Sequence, residues 1–278
     1  MSVFSLVSGL SPLLISIPHA GTDVPAAIKA RMTNEALRLP DTDWHIPLLY
    51  DFARRMDATI IAAHYSRYVI DLNRPPDDAP LYPGQTKVPL CPPETFEGGK
   101  IYKKGQEPDA GEIAQRLADY WIPYHDELRA QIGRIKKQHG YVVLYDAHSI
   151  KGEIARLFPG RLPDLNLGTA KGTSCAPWLE QAAMAAAQEG PFSAVLNGRF
   201  IGGYITRQYG DPAHDVHAIQ MELARENYMS EDDFAFDEAK AFLLRPVLRG
   251  VIQAALEWAN SEYTPSRATP AQGLNPKR

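Results

Sequence analysis

Short apolar runs alternate with segments of helical spacing along most of the chain. Runs rich in β-forming residues predict strands at 13–17, 59–63, 141–145, 194–197 and 217–223. Apolar positions at helical spacing predict helices at 44–56, 112–138, 180–188 and 240–260. A further apolar run, 68–72, is treated as another short strand. Strands that alternate with helices predict a single three-layer α/β domain with a mixed, mostly parallel sheet.

Two long segments without a periodic pattern separate these elements. Residues 77–99 and 151–173 are rich in Pro, Gly, Asp and Asn, and are the two candidates for a loop that closes over a binding site. The chain contains no internal repeat. We expect one domain over residues 1–260, followed by a flexible tail at 261–278.

Composition narrows the class of protein. The chain has 278 residues, enough for a sizeable core, and its net charge of -4 without a basic stripe argues against a nucleic-acid binder. Its two cysteines, Cys91 and Cys175, form no CxxC pair, which argues against a disulfide framework. The first residues lack the basic stretch and cleavage site of a signal peptide, and 13–17 is too short to span a membrane. These features predict a cytoplasmic protein without a membrane partner.

Polar residues follow several of the predicted strands. His19 follows the first strand, Asp146 and His148 follow 141–145, and Glu222 lies at the end of 217–223. In open α/β sheets, ligands bind outside the carboxyl ends of the strands. We therefore expect these side chains to meet at one edge of the sheet.

This set of residues suits a metal-dependent hydrolase. Catalytic zinc takes three ligands from His and carboxylate side chains and keeps one position for water. His19 and His148 supply two ligands, and Asp43 is the first choice for the third, with Asp41 as the alternative. Glu222 is the candidate for the carboxylate that takes a proton from water and passes it to the leaving amine.

Each of these residues also has an ordinary interpretation. Either histidine alone could be a loop or core residue, and Asp43 could be the N-cap of the following helix. Asp146 could be a turn residue, or an acceptor that orients His148. Glu222 could form a salt bridge with Arg225. Because no compact motif links these residues, their chemistry alone leaves both interpretations open.

Several longer stretches carry a family resemblance. They are IPHAG (17–21), DTDW (41–44), SRYVIDLNRPP (66–76), YDAHSI (145–150), LPDLNLGT (162–169), NGRFIGGYITRQYG (197–210) and IQMELAR (219–225). Together, over residues 13–260, they resemble the N-formylglutamate amidohydrolase family. LPDLNLGT and the GGYITR stretch resemble the deformylase branch, which acts in histidine degradation.

The resemblance implies a phosphorylase/hydrolase-like fold related to zinc exopeptidases. It also implies hydrolysis of N-formyl-L-glutamate to glutamate and formate, the last step of a histidine degradation route. It assigns metal ligation to His19, His148 and, of the two aspartates in DTDW, Asp43, and it assigns the catalytic carboxylate to Glu222. Zinc is the expected ion, although His/carboxylate sites also accept Fe²⁺, Co²⁺ or Mn²⁺.

The substrate that the resemblance implies has two carboxylates, which require cationic anchors. DLNRP resembles the Asn-Arg pair that grips the substrate carboxylate in zinc carboxypeptidases, which assigns Asn73 and Arg74 to this role. Arg207, in a stretch flanked by Gly, and Tyr204 are further candidates, with a surface charge and a packed aromatic as their ordinary alternatives. Two more arginines are weaker candidates because each can pair with a neighbouring acid: Arg67 and Arg225.

The same residues are also compatible with rival functions. An amidohydrolase for another small N-acyl amino acid would use the same residues, whereas a cell-wall amidase would need export. A non-catalytic carboxylate-binding protein would bind its ligand without metal. A Ser or Cys hydrolase is disfavoured because the chain has no G-x-S-x-G motif.

Overall fold

The computed structural model describes residues 2–81 and 88–263. Seven strands in this part of the chain form one mixed sheet: β1 (Phe4–Val7), β2 (Leu13–Ile17), β3 (Thr59–Ala63), β4 (Val142–Ile150), β5 (Leu165–Gly168), β6 (Ala194–Leu196) and β7 (Val216–Ala224). Their order across the sheet is β1-β3-β2-β4-β7-β5-β6. β1 runs antiparallel to β3, and β5 runs antiparallel to β7. The other four pairings are parallel. The prediction of a mixed, mostly parallel sheet is confirmed.

The α-helices of the described residues are α1 (Ala26–Lys29), α2 (Ile46–Leu49), α3 (Ala110–Arg116), α4 (Ile122–His139), α5 (Pro177–Gln188), α6 (Tyr204–Tyr209) and α7 (Glu238–Tyr263). A π-helical turn, Leu117–Trp121, joins α3 to α4 just before Pro123. The predicted helix at 112–138 is therefore two helices in sequence. No helix of the described residues has the length and apolar character that crossing a lipid bilayer requires.

The sheet is covered on both faces, which explains its apolar strands. Leu13 and Ile15 of β2 belong to a core that includes buried side chains of α5 and α7. Leu14, which points the other way, belongs to a second core with Leu128 and Ile135 of α4. Every residue of β4 and β7 is buried, as expected for strands between two helical layers. The three-layer α/β prediction is confirmed.

The sequence predictions differ from the structure at several segments. The predicted strands 13–17 and 59–63 match β2 and β3, but 68–72 forms turns and irregular backbone rather than a strand. The predicted loop 151–173 contains β5, whose Asn and Gly residues hid it from the pattern. β1 and α6 were not predicted. α7 continues to Tyr263, and the rest of the predicted tail lies outside the described residues, as does 82–87 of the predicted loop 77–99.

Candidate active site

Three neighbouring parallel strands bring the predicted site residues to one edge of the sheet. β2, β4 and β7 lie side by side in the same direction, so their carboxyl ends coincide. His19 follows β2 by two residues. His148 and Glu222 lie within β4 and β7, where they are register partners. β4 is longer than the predicted strand, so Asp146 and His148 belong to the strand itself.

His19, Asp43 and His148 form a compact, buried donor set. The backbone N–H of Asp43 donates to the carbonyl of His19 at 3.0 Å, which aligns the two segments. Asp43 Oδ2 lies 3.0 Å from His148 Nδ1 and 3.8 Å from His19 Nδ1. One nitrogen or oxygen atom from each side chain falls within 4.8 Å of the others. Within residues 2–81 and 88–263, this is the one group of three such side chains with that geometry.

The outer nitrogen of each histidine is held by a second aspartate. His19 Nε2 lies 2.7 Å from Asp71 Oδ1, and His148 Nε2 lies 2.9 Å from Asp146 Oδ2. Metal-binding histidines commonly donate their other N–H to a carboxylate, which fixes the tautomer and the ring orientation. With the proton on Nε2, each ring presents the lone pair of Nδ1 toward Asp43.

The donor set fits a divalent cation. Two imidazoles and a carboxylate are the ligands of hydrolytic metal sites, and Asp43 Oδ1 is buried without a hydrogen-bond partner. Asp41, the alternative ligand, is engaged elsewhere, because its Oδ2 accepts the hydroxyl of Tyr68 and the N–H of Phe96, both at 2.8 Å. The geometry therefore favours Asp43.

Glu222 lies beside this group with little access to solvent. Its carboxylate accepts a hydrogen bond from Gln220 Nε2 at 3.3 Å. Burial raises the pKa of Glu222 to about 8, and the negative charge of Asp43 acts in the same direction, whereas His148 opposes it. A carboxyl group with this pKa can accept and return a proton near neutral pH.

A small cavity of about 60 Å³ opens onto these groups. Its walls include the two histidines, Glu222 and two arginines, Arg67 and Arg74. Arg67 is buried, donates to Asp71 Oδ2 at 2.5 Å and stacks over the ring of Phe96. Although burial favours the neutral acid, Arg67 and His19 hold the pKa of Asp71 well below its usual value. The cavity therefore combines a candidate metal centre, a candidate base and positive charge.

Residues 11–229 match the sequence profile of the N-formylglutamate amidohydrolase family. The chain belongs to the N-formylglutamate amidohydrolase family. It is 49% identical over 263 residues to the N-formylglutamate deformylase of Pseudomonas putida, a match that covers 94% of this chain and 98% of that protein. It is also 49% identical over 264 residues to the N-formylglutamate deformylase of Pseudomonas aeruginosa, with the same coverage.

Two solved structures share this fold over nearly the whole chain. The crystal structure of the N-formylglutamate amidohydrolase from Ralstonia eutropha JMP134 is 25% identical, with a TM-score of 0.79, and the match covers 94% of this chain and 98% of that chain. A gene product from Agrobacterium tumefaciens, 16% identical with a TM-score of 0.71, shares the fold over 93% of this chain and 96% of that chain.

Of the four candidate substrate-binding residues, two line the cavity and two lie outside its wall. Asn73 and Arg74 line the cavity, and the Asn73 amide nitrogen donates to Asp146 Oδ2 at 3.1 Å. Arg207 lies outside the cavity wall, and its guanidinium donates to the carbonyls of Gly202 and Leu81. The ring of Tyr204, also outside that wall, packs against two aromatic side chains: Trp121 and His125.

Sequence reasoning missed some residues of this site. Asp71 was not considered, although it precedes Asn73 by two positions in a family stretch and lies within the apolar run 68–72. Arg67 was considered weak because it could pair with an acid; it pairs with Asp71 and also lines the cavity. Arg225, the other weak candidate, instead lines a larger cavity of about 280 Å³ that includes none of the three donors.

Proposed function

We propose that this chain hydrolyses N-formyl-L-glutamate to L-glutamate and formate, as the last step of a histidine degradation route in the cytoplasm. The observation that carries the proposal is the buried His19–Asp43–His148 group beside Glu222, in a cavity that two arginines line. The names of the 49% identical relatives support the substrate. The two cysteines, both buried and unpaired, agree with a reducing compartment.

His19 Nδ1, His148 Nδ1 and a carboxylate oxygen of Asp43 would hold the metal, and we propose zinc. When bound, zinc supplies Lewis acidity, which polarises a carbonyl and makes water acidic near neutral pH. Asp71 and Asp146 keep both rings in the tautomer that this ligation needs. Iron, cobalt and manganese suit the same ligands, so the metal test includes them.

Glu222 would move the proton. Its carboxylate takes the proton of the attacking water as the carbon–oxygen bond forms at the formyl carbon, and then delivers that proton to the amine as the carbon–nitrogen bond breaks. Burial and the raised pKa of about 8 support this role, because the same group must act first as a base and then as an acid. Gln220, at 3.3 Å, orients the carboxylate.

Cationic side chains would hold the negative charges of the substrate. We assign one substrate carboxylate to Arg74, supported by Asn73, because both line the cavity. Arg67, buried in the same wall, would stabilise the negative charge that develops on the formyl oxygen. Arg207 stays our proposal for the second carboxylate, since its helix begins directly after Gly203, which does line the cavity. Tyr204 would contact the substrate from the same helix.

Formate release from N-formyl-L-glutamate by the purified protein tests this function. We expect release that a chelator abolishes and that zinc restores better than iron, cobalt or manganese. No release with any of these metals would exclude the proposed substrate. Release from other N-formyl or N-acetyl amino acids instead would indicate a different amidohydrolase, whereas binding without turnover would indicate a carboxylate-binding protein.

A further inference from the structure

Residues 71–74 carry three side chains of the proposed site but form no regular secondary structure. Asp71 accepts a hydrogen bond from His19 Nε2, and Asn73 donates one to Asp146, the carboxylate that holds His148. Arg74 lines the cavity. Irregular backbone lacks the ladder of hydrogen bonds that fixes a strand or helix. Within the segment, the N–H of Arg74 donates to the carbonyl of Asp71 at 3.3 Å, whereas the carbonyls of Leu72 and Arg74 accept from groups outside it.

Two side chains, one in the residue before α4 and one in its first turn, donate hydrogen bonds to the carbonyls of Arg74 and Leu72. The indole Nε1 of Trp121 donates to the carbonyl of Arg74 at 3.0 Å. His125 Nε2 donates to the carbonyl of Leu72 at 2.8 Å. The two rings stack with centroids 3.7 Å apart, and both side chains are buried. We refer to this pair as the Trp121–His125 clamp.

The local helix geometry gives the clamp its shape. Trp121 ends the π-helical turn, in which the N–H of Ile122 reaches the carbonyl of Leu117, five residues earlier. Pro123, which follows, has no N–H to continue a regular ladder. Because Trp121 and His125 are four residues apart, they share one face of the helix. Short π-helical turns frequently occur at functional sites.

The tautomer of His125 is fixed by its neighbours. The carbonyl of Leu72 can only accept, so the single proton of the neutral ring lies on Nε2. Nδ1 then accepts the hydroxyl hydrogen of Tyr209, at 2.8 Å. Burial lowers the pKa of His125 to about 3, so the ring keeps this arrangement near neutral pH.

We propose that Trp121 and His125 are positioning residues, which hold residues 71–74 so that Arg74 faces the substrate and Asp71 faces His19. Trp121 holds the carbonyl of Arg74, at the end of the segment, and His125 holds the carbonyl of Leu72, next to Asp71. Neither residue touches the reacting atoms, so their effects should appear in substrate affinity and in metal affinity respectively. The inference rests on the proposed function for its kinetic test, but not for its metal test.

A double-mutant cycle tests Trp121. Trp121→Phe keeps a ring but removes the donor to Arg74, and should raise KM for N-formyl-L-glutamate roughly 10-fold with little change in kcat. In an Arg74→Gln background the same substitution should change KM by less than about 2-fold, since the group it positions is gone. Trp178→Phe, at an exposed tryptophan of α5, is the matched control. A KM like that control, or an equal effect in both backgrounds, would overturn the role of Trp121.

Zinc affinity, measured by competition with a chelator, tests His125. His125→Phe removes the donor to Leu72 and should weaken zinc binding roughly 10-fold, and His125→Gln, which keeps an N–H donor, should recover most of that loss. His139→Phe is the control, because that ring bonds the carbonyl of Leu10 from the far end of α4. If His125→Phe does not fold, the comparison of His125→Gln with Tyr209→Phe remains. Tyr209→Phe removes the bond that fixes the His125 tautomer and should also weaken zinc binding.

Different results would exclude the proposed function and the positioning role of the clamp. Wild-type protein that releases no formate would exclude the proposed function, while the zinc measurements would still decide whether His125 supports the metal site. Active wild-type protein with Trp121→Phe and His125→Phe variants that match their controls would overturn the clamp and leave the proposed function intact.

Discussion

His19 Nε2 lies 2.7 Å from Asp71 Oδ1, while His19 Nδ1 faces Asp43. The same Asp71 accepts a hydrogen bond from Arg67 through its other oxygen. One carboxylate therefore orients a candidate metal ligand and fixes a cation of the cavity wall. Asp71 links the candidate metal centre to the cavity wall that would contact the substrate.

Replacing Asp71 should weaken metal binding without removing a ligand. In Asp71→Asn the amide can still occupy the space, but it no longer carries the charge that favours the Nε2–H tautomer of His19. We expect zinc affinity to fall by about 10- to 100-fold, measured by chelator competition. Asp126→Asn, at an exposed aspartate of α4, is the control and should bind zinc as the wild type does. Equal affinity in both variants would contradict this role.

The choice between Asp43 and Asp41 can be tested directly. Asp43→Asn should reduce bound zinc below one ion per chain, because Asp43 Oδ2 faces the Nδ1 atoms of both histidines, at 3.0 Å from His148 and 3.8 Å from His19. Asp41→Asn should retain zinc, because Asp41 instead accepts hydrogen bonds from Tyr68 and Phe96. Elemental analysis of both purified variants decides the matter. Loss of zinc only in Asp41→Asn would reverse the assignment.

Removing the carboxylate of Glu222 should separate metal binding from turnover. Glu222→Gln keeps the side-chain volume and the contact with Gln220, but cannot accept the proton of water. We expect normal zinc content and a loss of kcat of about 10²- to 10⁴-fold, measured as formate release. Glu226→Gln, in the turn after β7 where Glu226 pairs with Arg161, is the control. Near-normal kcat in Glu222→Gln would mean that another group acts as the base.

Arg207 can be tested through substrate preference. If it binds the side-chain carboxylate of the substrate, Arg207→Gln should lower kcat/KM for N-formyl-L-glutamate by about 10- to 100-fold and leave N-formyl-L-glutamine nearly unchanged. An equal, small effect on both substrates would mean that Arg207 only ties its helix to the carbonyls of Gly202 and Leu81. Arg199→Gln, at a nearby arginine that donates to the carbonyl of Leu157, is the control.

The parts of this fold that the sequence predicted are those with strong local patterns. β2 is apolar except for Ser16, and β3 is a continuous run of apolar or β-branched residues, so the bounds of both strands could be predicted from the local sequence. β4 was predicted too short because Asp146 and His148 resemble the end of a strand. Besides their contact with each other, their side chains find hydrogen-bond partners far along the chain, such as Asp43 and Asn73. A local pattern contains no information about such partners.

In the candidate site, too, only residues marked by a local pattern could be predicted from the sequence. His19, His148 and Glu222 could be found because each lies at or near the carboxyl end of a central strand. Asp71 could not, because it lies in irregular backbone and its role depends on a contact 52 residues away in sequence. The Trp121–His125 clamp depends on a π-helical turn, which the helical spacing of apolar residues does not reveal.

The buried His125 should also make stability depend on pH. Its folded-state pKa of about 3 lies below the unfolded value of about 6.5. Below pH 6.5 the unfolded chain therefore binds a proton that the native protein does not, so acid favours unfolding. The neutral His125 therefore contributes fully to the free energy of unfolding above about pH 6.5. This contribution is lost as the pH falls towards 3, at about 1.4 kcal/mol per pH unit.

Comparison of wild type with His125→Phe isolates this effect, because the other titrating groups cancel in the difference. We expect the free energy of unfolding in urea to be higher for the wild type at pH 7.5, and this advantage to shrink by about 2 kcal/mol between pH 6.5 and pH 5. Between pH 7.5 and 8.5 the advantage should stay constant, which serves as the internal control. An advantage that is independent of pH from 5 to 7.5 would mean that the native and unfolded states bind a proton at His125 equally, and would contradict a buried ring that stays in the neutral tautomer that donates to Leu72.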